Sequence, residues 1–193
     1  MTKSEIEQAL QNMGDYVKMD NLNRFLKQSL ALDKKKFVYE KLAEIYEKKG
    51  MFTSAAKMHN FIALCTIAFS EKIRHYVKEA ELYIKAGAFI DADEAVKRAL
   101  SEANIMEKEN IHKSIKEFYK KQGEAYERDM RKAQAIKLYE KFLQMNLDSV
   151  ERDEIKKKLM ILYEKVGKLN EYFSLKDSKY GSETRRKHSP NSK

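Results

Sequence analysis

The sequence predicts an all-α fold, an α-solenoid of antiparallel helical hairpins with about nine or ten helices. Three observations carry that prediction. Charged residues make up 36% of the 193, and Lys, Glu, Ala and Leu dominate, a mix that favours helix over strand. The only proline is Pro190, so nothing before it forces a helix to break. Four tyrosines are each followed, four residues on, by a glycine or its substitute: Tyr46–Gly50, Tyr83–Gly87, Tyr126–Met130 and Tyr163–Gly167, at spacings of 37, 43 and 37 residues.

The elements follow in order. Residues 1–33 read as a degenerate helical pair, Ser4–Val17 and Asn21–Leu32, with Thr2/Glu5 and Ser4/Glu7 as capping-box candidates. Repeat units then span 36–69, 70–104 and 107–147, with a partial unit at 149–175. An aromatic opens the first three, at Tyr39, Tyr76 and Tyr119. Three residues before each repeat tyrosine stands Ala43, Ala80, Gly123 or Met160, which shares a helix face with the ring; in the first three units this residue is small and leaves the ring room. The glycine position ends the helix, because a residue without Cβ enters the left-handed region freely. Phe52, Phe89, Lys132 or Leu169 follows two residues later, then Ala55, Ala92, Ala135 or Tyr172, opening a second helix that lies close on the first. Neither helix can bury its apolar face alone, so the units must stack. Asp148 with Glu151 marks a helix running through Val166, and a short last helix falls near Leu169–Leu175. The remainder, 176–193, has almost no apolar side chains and reads as a disordered basic tail.

The segments LAEIYEKKGMFTSAAKMH (Leu42–His59), EAELYIKAGAFIDADEAV (Glu79–Val96) and QGEAYERDMRKAQAIKLY (Gln122–Tyr139), with the partial LMILYEKVGKLNEYF (Leu159–Phe173), resemble the tetratricopeptide repeat family. The usual unit there is about 34 residues, so spacings of 37 and 43 imply helices or connections lengthened by a turn or two. GMFTSAAKMH (Gly50–His59) is also similar, locally, to soluble NSF attachment proteins. The resemblance implies a right-handed superhelix whose concave groove is lined by each unit's first helix and binds peptides. Carried over by position, the groove residues are Glu40 and Glu44, Val77 and Glu81, Lys120 and Glu124, then Lys157 and Ile161. The clamp that holds a C-terminal carboxylate in that family wants Lys and Asn there; Glu44, Glu81 and Glu124 argue against that ligand. On one groove they would favour a basic or amphipathic helical segment. Alternatively they solubilise the helices and pair with Lys48, Lys85 and Arg128, each four residues on.

The chemistry-bearing residues point away from an enzyme. The histidines, at 59, 75, 112 and 188, stand at no metal-ligand spacing with one another or with Cys65, and neither a phosphate-binding loop nor a nucleophile elbow is present. His59 reads as a packing residue, and Cys65, within the apolar run Phe61–Phe69, as a small buried hydrophobe. That nine-residue run falls far short of the roughly 20 that cross a bilayer, a single Cys suits a reducing compartment, and Met1–Gly14 has no secretory pattern. A soluble cytoplasmic protein without metal or cofactor is expected. The net charge of +9 is uneven, with +4 on 176–193, where Arg185, Arg186 and Lys187 could contact RNA, an acidic partner or a membrane surface. The expected function is a non-enzymatic adaptor that docks a partner protein's segment. The alternatives are an RNA-binding helical repeat and an attachment-type assembly factor for a larger complex.

Overall fold

The computed structural model describes the backbone of residues 2–186 and the side chains of residues 2–177. These residues form ten α-helices and no strand: α1 (Lys3–Leu10), α2 (Asp15–Leu26), α3 (Leu32–Lys48), α4 (Phe52–Leu64), α5 (Phe69–Ala86), α6 (Phe89–Glu102), α7 (Ile105–Arg128), α8 (Lys132–Phe142), α9 (Ser149–Val166) and α10 (Leu169–Arg186). The chain divides into two units at Phe118/Tyr119, within α7.

In the first unit each helix packs on the next from α2 through α6. The N-terminal pair differs from expectation. A single helix Ser4–Val17 does not form; Asn12 sits in the left-handed region (φ 63°) and the extended backbone of Gly14 starts α2. The break lets Ile6 and Leu10 of α1 and Met19 and Leu22 of α2 turn toward the same core as Val38 and Leu42 of α3. One straight helix could not aim both sets inward. The Thr2/Glu5 capping box is present, with reciprocal bonds of 3.2 and 2.8 Å. Between α3, α4, α5 and α6 the core is built on Ala43, Ala55, Ala56, Ala80, Ala92 and Ala95, whose size lets backbones approach closely, with Leu42, Ile62 and Leu82 filling between them.

In the second unit α8 packs on α9 and α9 on α10. Tyr119 stacks on Phe142 with centroids 5.4 Å apart, and Ile155, Leu159 and Leu162 carry the buried face of α9. The Asp148/Glu151 capping box forms at the start of α9. The last helix is longer than expected, since α10 continues past Leu175 to Arg186; no proline interrupts it there. Arg185 and Arg186 therefore lie in its last turn, and Lys187 and the rest of the tail fall outside the described residues.

The four repeat turns share one geometry. Gly50, Gly87 and Gly167 have φ of 71°, 75° and 75°, and Met130 takes the same left-handed conformation at 58°. At each, the next residue's N–H donates back to the repeat tyrosine's carbonyl: Met51 to Tyr46 (2.8 Å), Ala88 to Tyr83 (2.9 Å), Arg131 to Tyr126 (2.8 Å) and Lys168 to Tyr163 (2.9 Å). With the glycine-position N–H donating to the carbonyl three residues back, this is a complete Schellman cap. The long 43-residue spacing comes mainly from α7, which has 24 residues where α5 has 18.

Candidate partner-binding site

Two grooves in the first unit take in three of the sequence-predicted positions, Glu44, Val77 and Glu81. The first lies between α5 and the opening turns of α7, with a volume of about 350 Å³. Its floor is apolar, from Ile73 and Val77 of α5 and Ile111 of α7, while Arg74, Lys78, Glu81, Glu107, Asn110 and Ser114 form the rim. Helical spacing explains the arrangement: Ile73, Val77 and Glu81 stand four residues apart on one stripe of α5. Lys78 is held by Glu47 of α3 at 2.9 Å, and Arg74 by Glu71 at 3.5 Å. Glu107 caps its own helix, accepting from the Asn104 N–H at 2.8 Å. The apolar floor is thus framed by side chains already anchored.

The second groove, about 430 Å³, runs among α1, α2 and α3 and is lined by Leu10, Leu22 and Ile45 with a charged margin that includes Glu44. Glu44 pairs with Lys41 at 3.7 Å, while Lys48 reaches Asp15 at 3.2 Å and Lys49 reaches it at 3.1 Å. Those two lysines hold the Asp15 carboxyl below the usual carboxylate range. Glu40 is half-buried on α3 and lines neither groove.

The remaining predicted positions belong to the second unit. Lys120 bonds Glu154 at 3.0 Å, and Glu124 accepts from Lys158 at 3.0 Å, so these two residues of α7 are tied to α9. Lys157 and Ile161 are exposed on α9. The expected pairing with a lysine or arginine four residues on is replaced for Glu44 and Glu124 by these other partners. Nor is either groove acidic: Glu81 and Glu107 face Arg74 and Lys78 in one, and Glu7, Asp15 and Glu44 face Lys18, Lys41 and Lys48 in the other.

Sequence reasoning missed two buried polar clusters. His59 of α4 and His75 of α5 stack, with Nδ1 atoms 3.1 Å apart, and His59 Nε2 lies 3.3 Å from the Glu47 carboxylate. One proton arrangement satisfies this chain: His75 Nδ1–H donates to His59 Nδ1, and His59 Nε2–H donates to Glu47. His75 Nε2 is left buried without a hydrogen-bond partner, 3.9 Å from Glu71, which suits a neutral ring. Burial, then the neighbouring His59, pushes the His75 pKa down to about 4, and burial also lowers that of His59. The second cluster is Glu79 of α5, 1% exposed, which accepts from Arg98 Nη2 (2.7 Å) and Asn60 (3.1 and 3.3 Å). Burial holds its carboxyl above the usual range even so. No sequence signal marks either cluster, since their members stand 12 to 19 residues apart on different helices. Cys65, expected to be buried, is half-exposed at the end of α4, and burial of the thiol raises its pKa, which keeps it protonated.

The chain matches no protein-family model, no curated protein and no solved structure. Among the described residues, no helix is long and apolar enough to cross a membrane.

Proposed function

We propose that this protein is a non-enzymatic adaptor, which docks an amphipathic helical segment of a partner protein on the α5–α7 groove. The observation that supports this most is the groove's apolar floor of Ile73, Val77 and Ile111, set between anchored charges of both signs. About 350 Å³ suits one or two apolar side chains, such as those presented at i and i+4 by a partner helix. Because the rim is balanced in charge, the apolar anchors supply affinity and the rim sets register. The fourfold turn geometry supports winding of the hairpins as a right-handed tetratricopeptide-like solenoid.

The test uses the full chain with a photoreactive amino acid at Val77, and with Val77→Arg alone. Partners purified at two salt concentrations should crosslink through position 77. Val77→Arg should weaken their capture about tenfold, equivalent to ~1.4 kcal/mol, with unchanged helicity. Capture that is undiminished by Val77→Arg would reject the groove.

A further inference from the structure

We propose that the end of the first unit formed by the α4–α5 loop and the start of α3 binds the surface of an anionic lipid bilayer. The nine-residue apolar run is the starting observation. It contains Phe61, Leu64, Ile67 and Phe69, and the fold does not use these side chains as core. Ile67 is 88% exposed, Phe69 65% and Leu64 63%, and Leu32, the first residue of α3, is 54% exposed.

The loop is turned inside out relative to a solvated connection. Its one hydroxyl near the tip, Thr66, is buried and donates to the Ile62 carbonyl at 2.8 Å, while the neighbouring Ile67 points outward. A water-facing loop would do the reverse. Isolated exposed apolar residues are ordinary, but several large ones at one end mark an interaction surface.

Ion pairs show that these residues share one end. Lys36 of α3 reaches Glu71 of α5 at 3.0 Å, and Lys72 reaches Glu102 at the end of α6 at 3.2 Å. The positive charges of Lys35 and Lys36 are felt at Cys65, beside the loop. Tyr39 of α3 stacks on Phe61 at 5.0 Å, so the apolar surface runs across α3 and α4.

Charge and shape select the occupant. Around the tip stand Lys34, Lys35, Lys36, Lys72 and Arg74 against Asp33, Glu71 and Glu102, a local excess of two positive charges. Asp33, Glu71 and Glu102 each have a cation within reach (Lys3, Lys36 and Lys72), which leaves cations over for an anionic partner. The N-cap positions of α3 and α5 are Ala31 and Ala68, neither of which supplies a side-chain cap, so first-turn N–H groups face the same surface as the lysines. Protruding side chains beside cations fit a deformable apolar interface with anionic headgroups, where tips sink a few ångströms and lysines meet phosphates. Of these residues only Arg74 also borders the α5–α7 groove, so both sites can be occupied at once.

The chain has no tryptophan, which makes Phe69→Trp a unique fluorescent probe. The full-length protein is mixed with phosphatidylcholine vesicles containing about 30% phosphatidylserine, and with pure phosphatidylcholine vesicles. Co-sedimentation and a blue-shifted tryptophan emission from the Phe69→Trp variant are expected with the anionic vesicles, several-fold weaker on the neutral ones. Adding Ile67→Asp, an exposed substitution that leaves helicity intact, should abolish the shift and weaken sedimentation about tenfold. Lys34→Glu with Lys35→Glu should weaken binding and its salt dependence. The proposal fails if the wild type does not sediment, if Ile67→Asp binds as well as wild type, or if vesicles bind without the emission shift. It also fails if light scattering shows a dimer that Ile67→Asp dissolves in the absence of lipid, since a second copy would then cover the patch.

Discussion

The α3–α4 and α7–α8 hairpins reach the same turn with their glycine in opposite places. In α3–α4 the helix carries Ala43 and the left-handed turn carries Gly50; in α7–α8 the helix carries Gly123 and the turn is made by Met130. The difference traces to one ring. Sixteen residues after the small position, α4 has His59 and α8 has Tyr139. Both reach back twelve residues to a carboxylate, His59 to Glu47 and the Tyr139 hydroxyl to Glu127. The phenol needs more room than the imidazole, and α7 gives it by omitting a Cβ. A glycine inside a helix costs about 1 kcal/mol relative to alanine, and a left-handed methionine costs about 1–2 kcal/mol. The hairpin geometry is therefore set by the ring it must enclose and the Schellman bonds that close it, with either residue able to hold either place.

The largest expected effect breaks the α7–α8 solution directly. A Cβ at Gly123 would stand 2.7 Å from the Tyr139 hydroxyl oxygen and closer still to Cε1 and Cζ. Tyr139 is fully buried and cannot swing aside. Gly123→Ala should cost about 3 kcal/mol despite the better helix propensity, read as a lower denaturation midpoint. Adding Tyr139→Val and Glu127→Ile recreates the residues that α5–α6 carries at those places, Ala80, Val96 and Ile84. That combination should recover most of the loss. If it recovers none, the ring does not account for Gly123.

The next effect separates the two hairpins by pH. In α7–α8 burial, then the bond to Glu127, raises the Tyr139 pKa, so that pair does not titrate near neutrality. Against the α3–α4 hairpin the folded protein holds His75 of α5 down to about 4, and His59 of α4 below its ordinary value, while the unfolded chain titrates both near 6.5. Between those values the unfolded state binds more protons, so stability falls as pH drops from 6.5 toward about 4 and levels off below it. Glu47 and Lys78 face His59, and Glu71, Arg74 and Lys36 surround His75. With the shift halved for partial solvation, His75 contributes on the order of 1.5 kcal/mol of that loss. Thermal unfolding of wild type and His75→Gln should differ in slope across this window. Parallel curves would place the acid sensitivity in the carboxylates.

How far the sequence reached depended on the range of the interaction. The turns were legible because they are local: a tyrosine, a small residue three before it and a glycine four after fix one helix end, and the register extended the prediction to Met130, where no glycine signals it. Capping boxes at Thr2 and Asp148 were legible for the same reason. The N-terminal helices were misplaced because apolar periodicity carries on across residues 11–14, whereas the backbone breaks there, at the extended Gln11 and Gly14 and the left-handed Asn12. Cys65 looked buried because its neighbours are apolar, and hydrophobicity argues for burial without requiring it. The His59–His75 and Glu79–Arg98 clusters left no trace, as each needs neighbouring helices in register before its members meet. Of the groove positions, Val77 and Glu81 fell together because one helix stripe holds them; Glu44 lies in a different groove, and Glu40 in neither.

The smallest effect tests whether the turn itself tolerates the exchange. Met130 is exposed and its left-handed backbone is strained, whereas its turn bond from the Arg131 N–H to the Tyr126 carbonyl, at 2.8 Å, matches those of the glycine turns. Met130→Gly removes the strain without disturbing a packed side chain. The gain is about 1 kcal/mol, reduced by the greater freedom of glycine in the unfolded chain. Gly87→Ala is the mirror experiment, since no atom lies within 4 Å of its added Cβ and only the φ of 75° resists it. It should lose about 1 kcal/mol. Equal and opposite changes in denaturation midpoint would show that the two turns differ by backbone strain alone. A Met130→Gly variant less stable than wild type would instead mean that the methionine side chain makes a stabilising contact, and the hairpins would then differ at the turn as well as at the ring.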